Sequence, residues 1–148
     1  MIPPSSWVVR HAQSIPARGK VLDLACGSGR HARFLAGLGY PVLAVDRDAR
    51  ALAGVSTIKG IMTRQLDLEG EEWPLAGQVF DGIVVTNYLW RPRLPDVLAL
   101  LAPGGVLIYE TFMVGNAAYG KPSNPAFLLL AGELRQLAAA AGLREVDY

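Results

Sequence analysis

Cysteine and histidine are almost missing from this chain, and two classes of site go with them. The 148 residues hold one cysteine, Cys26, so no disulfide closes within the chain and a cysteine-rich metal site is excluded. The two histidines, His11 and His31, lack close ligand spacing, so no zinc site is expected and no metal ligand is assigned, while ions held by carboxylates alone stay open. Charge of one sign is missing too. With 14 basic and 13 acidic residues scattered along it, the chain carries a formal net charge of +1. That removes the electrostatic case for nucleic acid or an anionic membrane as the main partner. No stretch approaches the ~20 apolar residues of a membrane span. The opening MIPPSSWVVRHAQ has no signal-peptide core, so a cytoplasmic protein is expected.

What remains is 51% hydrophobic and 18% charged, the composition of a packed globular protein. The length suits a single domain over residues 1–148. Short apolar runs alternate with helical periods. Ser5 to Ser14 reads as a helix, Lys20 to Ala25 as a buried strand and Arg30 to Leu38 as a helix stopped by Gly39. A strand from Pro41 to Asp46, a short helix from Ala49 to Gly54 and a weaker strand from Ile61 to Leu68 follow. Val79 to Thr86 is a fourth strand. Leu94, Val97, Leu98 and Leu101 recur at helical spacing, and Pro103-Gly104-Gly105 turns the chain into a fifth strand, Val106 to Thr111. A loop over 113–126 precedes a helix from Glu133 to Ala141, and Leu143 to Tyr148 is expected to begin a sixth strand. Strands alternating with helices predict an α/β fold with a mainly parallel sheet, and strands with little polar alternation predict helices on both of its faces.

The clearest constellation is Val21-Leu22-Asp23-Leu24-Ala25-Cys26-Gly27-Ser28-Gly29-Arg30. A buried strand ends in an acid, passes a small-residue turn and enters a helix, whose first amides can face a negative group. Gly27 and Gly29 let the backbone turn sharply and approach a ligand. The same residues also fit the dinucleotide pattern G-x-G-x-x-G/A. Asp46 closes the second strand, where an acid can accept hydrogen bonds from ribose hydroxyls or cap the next helix. Asp48 is available for that capping. Asp67, near the end of the third strand, is placed to accept from an adenine amino group or to sit in a solvated turn.

Together these residues resemble the class I methyltransferase family. VLDLACGSG is similar to its first motif, Asp46 to its second-strand acid, Asp67 to its adenine-side acid, FDGIVVTNYL to its fourth motif and LAPGGVLIYETF to its fifth-strand segment. Within the class, GSGRHARFLAGLGYPVLAVD and GELRQL resemble the tellurite-resistance methyltransferase branch. The resemblance implies a Rossmann-like methyltransferase fold and S-adenosylmethionine as cofactor. It implies that Asp23 and the backbone of Ala25, Cys26, Gly27 and Gly29 line the methionine side, with Arg30 beside them. Asp46, followed by Arg47, would bind the ribose, Asp67 and Leu68 would face the adenine, and Thr86 and Asn87 would line the methyl-transfer side. Two departures stand out. Ala25 occupies a position where the family often has glycine, and the chain stops where the sixth strand begins, before the family's antiparallel seventh. An uncovered sheet edge would favour pairing with a second copy, so a homodimer is one expectation.

The substrate side is less legible. Methyl transfer from a sulfonium needs alignment more than acid–base chemistry, so no catalytic base is assigned. Tyr88 and Trp90 either cover a ligand or fill the core. Arg30 and Arg91 either pair with a carboxylate of the cofactor or of an acidic substrate or are solvated, and Glu110 is a base or a strand-end charge. The loop from Tyr119 to Pro125 is long enough to be a lid. His31 is expected to pack, and His11 either closes over the cofactor or lies on the surface. The leading expectation is methylation of a small molecule. The alternatives are an NAD(P)-dependent oxidoreductase using the same glycine turn and Asp46, and a methyltransferase-like binding module without activity.

Overall fold

A computed structural model describes residues 2–148, the side chain of residue 117 apart. Five parallel strands form one sheet: β1 (Val21–Leu24), β2 (Val42–Asp46), β3 (Ile61–Gln65), β4 (Phe80–Thr86) and β5 (Leu101–Glu110), in the order β3-β2-β1-β4-β5. Every residue of β1 is buried, as is nearly all of β2 and β4, and both faces of these strands are covered. Side chains alternate between the faces. Val21, Val42, Ala44 and Val84 pack beneath α1 (Ser6–His11), α2 (Arg30–Gly37) and α3 (Ala49–Ala53). Leu22, Leu24, Val45 and Ile83 pack on the other face with Leu75, Phe80 and Val97, the last from α4 (Leu94–Leu98). Asp23 shares the parity of Val21, so it points into the face covered by α2.

The chain runs from β1 outward to β2 and β3, then crosses back to β4 on the far side of β1. The carboxyl ends of β1 and β4 therefore flank a switch point, where open α/β sheets hold their ligands.

The expected elements are largely present, with four differences. Helix α1 is shorter than expected. Ser5 Oγ caps it by accepting from the Trp7 amide at 3.2 Å, and Ala12–Ser14 tightens into a 3-10 turn. Helix α4 ends at Leu98 rather than reaching Leu101, because the Leu100 carbonyl is taken by the Phe80 amide and the chain joins the sheet. Strand β5 therefore begins before Pro103. Phe80 pairs with Leu101 and Gly82 with Val106, so the Pro103-Gly104-Gly105 turn is a bulge inside the strand. Strand β3 stops at Gln65, since the Asp67 carboxylate accepts from the Glu69 amide and turns the chain away.

The fourth difference is a correction. Leu143–Tyr148 forms no strand. After α5 (Glu133–Ala140) the left-handed Gly142 ends the helix, and the tail lies across to α1. There the Asp147 carboxylate meets His11 Nε2 at 2.9 Å, Glu145 pairs with Arg135, and the Arg135 guanidinium stacks on Tyr148. These are solvent-facing contacts of small energetic weight. Among the described residues, no strand lies along the outer side of β5.

Candidate functional site

A cavity of about 370 Å³ opens over the carboxyl ends of the strands. Ala25 (after β1), Asp46 and Arg47 (β2), Leu66, Leu68 and Glu69 (after β3), Asn87, Tyr88 and Leu89 (after β4), and Thr111 and Phe112 (after β5) contribute to its wall. Pro122 and Phe127, from the segment that follows β5, close one side.

The glycine turn is built under conformational constraint. Gly27 and Gly29 have φ of +56° and +83°, as the turn requires. A β-carbon on Gly29 would lie 2.6 Å from Val55 Cγ1, so this glycine is required by packing. A β-carbon on Gly27 would meet no atom within 4 Å, so there the backbone borders open space. Ala25, at φ +55°, adopts the same left-handed region without a glycine's freedom. Asn87, at the end of β4, does so as well, and both residues border the cavity. At Ala25 this conformation stores about 1–2 kcal/mol, whereas asparagine adopts it readily.

Asp46 locks the turn to β2. Its Oδ2 accepts from the Gly27 amide at 2.8 Å and its Oδ1 from the Asp48 amide at 2.9 Å. Each carboxylate oxygen keeps acceptor capacity toward the cavity. Capping of α3 falls to Asp48, whose Oδ1 accepts from Arg50 and Ala51, so Asp46 is free of that task.

Beneath the turn lies Asp23, with neither carboxylate oxygen hydrogen-bonded and no exposed surface. Burial, reinforced by the nearby Asp46 charge, pushes its carboxyl up to about 7. Buried Cys26 has its thiol pushed well above the ordinary range by burial and by the same two carboxylates. It is a poor nucleophile, in keeping with a wall residue.

Several residues that the sequence offers as possible ligands are engaged elsewhere. Thr86 is buried, and its Oγ1 meets His31 Nδ1 at 3.3 Å instead of facing the methyl-transfer side. His31 Nε2 accepts from the Ser5 amide at 3.0 Å, so Nδ1 carries the proton toward Thr86. Burial holds this imidazole down to about 4. Arg30 donates to the Pro3 carbonyl at 3.0 Å, tying down the N-terminal segment with His31. Asp67 spends one oxygen on its own turn and is outside the cavity wall, where Glu69 stands instead. His11 is engaged with Asp147 and Trp7, away from the cavity. Arg91 pairs with Glu133 rather than offering itself to a ligand. Tyr109 donates to the Tyr88 carbonyl at 2.6 Å, and the Tyr88 hydroxyl is buried without a partner.

Ala25, Asp46, Arg47, Leu68 and Asn87 are thus brought together at the wall, with Gly27 bound to Asp46 and Asp23 directly below. Pro122 belongs to the Tyr119–Pro125 loop expected as a lid and Phe112 ends the segment similar to the family's fifth strand, whereas Leu66, Glu69 and Phe127 carry no signal as site residues. Only their positions after strand ends pointed to them.

A methyltransferase domain model matches residues 21–105, from β1 to the bulge of β5. The chain belongs to the methyltransferase-domain family. It is 31% identical over 121 residues to the Bacillus subtilis protein YqeM, covering 73% of this chain and 48% of that protein. It is 32% identical over 130 residues to a tRNA U34 carboxymethyltransferase of Hydrogenovibrio crunogenus, covering 76% of this chain and 39% of that enzyme. The structure of TehB from Haemophilus influenzae superposes with a TM-score of 0.73 at 26% identity, over 92% of this chain and 50% of TehB. The chain therefore spans about half the length of these relatives or less. The class I resemblance and the Rossmann-like fold read from the motifs are borne out, including the TehB-like branch. The methyltransferase domain thus accounts for the strand order, the switch-point cavity and the glycine turn.

Proposed function

We propose that this chain binds S-adenosylmethionine and transfers its methyl group to a small molecule. One observation carries the cofactor reading: a second carboxylate, Asp23, lies buried and unpaired beneath the same turn that Asp46 braces. A carboxylate at the tip of β2 and a second one buried below the glycine turn favour a cationic ligand and repel a pyrophosphate. The residues fit S-adenosylmethionine, with its sulfonium and ammonium groups, and not the diphosphate of NAD(P). The open space at Gly27 admits close approach of the methionine chain.

Asp46 would hold the ribose hydroxyls, Leu66 and Leu68 would pack on the adenine, and Ala25 and Asn87 would border the methionine side. When bound, the cofactor supplies an electrophilic methyl carbon on a good leaving group. The chain's own task is then alignment: left-handed backbone at Ala25 and Asn87 sets the ends of β1 and β4, and the segment after β5 limits where an acceptor can stand. The small-molecule reading rests on the net charge of +1, which offers little attraction to polyphosphate, and on the size of the cavity, about 370 Å³. The Hydrogenovibrio relative, by contrast, is named for a tRNA substrate.

Isothermal titration with S-adenosylhomocysteine tests the cofactor reading. Saturable binding is expected, weakened at least about tenfold in Asp46→Ala by loss of charged-acceptor hydrogen bonds. Unchanged affinity in that variant would contradict the ribose assignment, and preference for NAD would overturn the cofactor. Binding without turnover on any acceptor would favour the inactive-module reading.

A further inference from the structure

The cavity is divided by charge, and the sheet order makes the division. Strands β2 and β3 lie on one side of β1, β4 and β5 on the other. The tips of β2 and β3 bring Asp46, Arg47 and Glu69 to the wall. On the far side, the β5 tip and the segment beyond it bring Thr111, Phe112, Pro122 and Phe127, and Leu89 follows β4. All of these are uncharged, and two are aromatic rings.

The segment carrying Pro122 and Phe127 is held in place from below. At its base, Val114 donates to the Leu129 carbonyl at 2.8 Å and Leu129 to the Phe112 carbonyl at 2.9 Å, closing the excursion into a loop. Within it, the Arg91 guanidinium accounts for five hydrogen bonds. Nε and Nη2 donate to the two Glu133 oxygens, both at 2.7 Å, while Nη1 and Nη2 donate to the carbonyls of Pro125, Ala126 and Leu128. Glu133 Oε1 also accepts from the Leu130 amide. Hydrogen bonding from Arg91 holds the Glu133 carboxyl below its usual range. A planar guanidinium with a bidentate partner fixes orientation in a way a lysine would not. Its charge is paired with Glu133, and Arg91 is not part of the cavity wall.

We infer that the β4–β5 half of the cavity is a subsite for an uncharged, largely apolar or aromatic acceptor, and that Arg91 is the positioning residue that holds Phe127 and Pro122 against it. This rests on the reading that the charged half takes the cofactor. An anionic or cationic acceptor would lose its hydration among these side chains with no partner to replace it.

Two fluorescent probes share one skeleton and differ by a sulfonate: N-phenyl-1-naphthylamine is neutral and 8-anilino-1-naphthalenesulfonate is anionic. Each is titrated into the protein with and without saturating S-adenosylhomocysteine. The neutral probe is expected to bind at one site, at least about tenfold more tightly than the anion, and to remain bound alongside S-adenosylhomocysteine. Phe127→Gln and Arg91→Met are expected to weaken the neutral probe severalfold while leaving S-adenosylhomocysteine affinity within about twofold. Circular dichroism confirms that both variants are folded, and Phe127→Leu, which keeps an apolar wall, restores most of the binding. Equal or tighter binding of the anion, displacement of the neutral probe by S-adenosylhomocysteine, or insensitivity to Phe127→Gln each overturns the inference. Failure of S-adenosylhomocysteine to bind in the calorimeter defeats the cofactor reading separately, because the probe preference is measured in its absence as well.

Discussion

Asp23 and His31 sit on the same face of the sheet and titrate in opposite senses. Asp23 has its carboxyl raised to about 7 in the fold, from 3.8 when free. An acid raised in this way holds a proton that the unfolded chain releases, so its contribution is complete below about pH 4 and is lost as pH rises toward 7. His31 is lowered to about 4, from 6.5. The unfolded chain takes up a proton there that the fold refuses, so stability is lost as pH falls from about 6.5 to 4. Between those limits the two proton differences cancel. Asp23→Asn removes one side of the balance. The variant is expected to gain stability near pH 7 and then to lose it on acidification at up to about 1.4 kcal/mol per pH unit, read from urea unfolding at several pH values. A parallel flat profile in variant and wild type would refute the assignment. A cationic ligand beside Asp23 also favours its ionised form, so binding of S-adenosylmethionine near pH 7 is expected to release a proton. Calorimetry in buffers of different ionisation enthalpy measures this.

Ala25 raises a separate question at the same scale. At φ +55° it carries a conformation that glycine adopts without strain. Ala25→Gly is expected to raise stability by up to about 1 kcal/mol, visible as an increase in Tm. A fall in Tm would mean that its methyl packs more than the backbone strains.

At the scale of elements, the segment between β5 and α5 depends on one side chain. Arg91 reaches three carbonyls and one carboxylate across it, and its removal leaves the part-buried Leu128 carbonyl and Glu133 carboxylate without these donors, while the Pro125 and Ala126 carbonyls are exposed to water. Arg91→Met is expected to cost about 2 kcal/mol and to expose residues 113–130 to limited proteolysis, while the core helices stay protected. Even loss of protection across the whole chain would show instead that the clasp holds the domain together. The sequence offered Arg91 as a candidate ligand for a carboxylate. The carboxylate it meets is that of Glu133 and not that of a cofactor or substrate, because Glu133 lies far along the chain and only α5 brings it close.

For the molecule as a whole, ligand binding and stability are one equilibrium. S-adenosylhomocysteine at about a hundred times its Kd is expected to stabilise the domain by about 2.7 kcal/mol, seen as a Tm that climbs with ligand concentration. NAD at the same concentration is expected to leave Tm unchanged, and an equal rise with NAD would return the dinucleotide reading. No described helix is long and apolar enough to cross a membrane.

Local chemistry was enough to determine much of this protein. Apolar runs in β1, β2 and β4 specify strands buried on both faces, because their period leaves no polar side to expose. Gly27 and Gly29 specify the turn, and Asp46 the strand-end acid, because backbone conformation and short-range hydrogen bonding depend on residues close in sequence. Tertiary structure alone decided what depends on distant partners. It turned Thr86 inward to His31, replaced Asp67 by Glu69 at the cavity wall, carried Leu143–Tyr148 across to α1 instead of into the sheet, and gathered Phe112, Pro122 and Phe127 into one uncharged wall. A strand exists only beside another strand and a cavity only between elements, so neither is encoded by the residues that form it until the chain has brought them together.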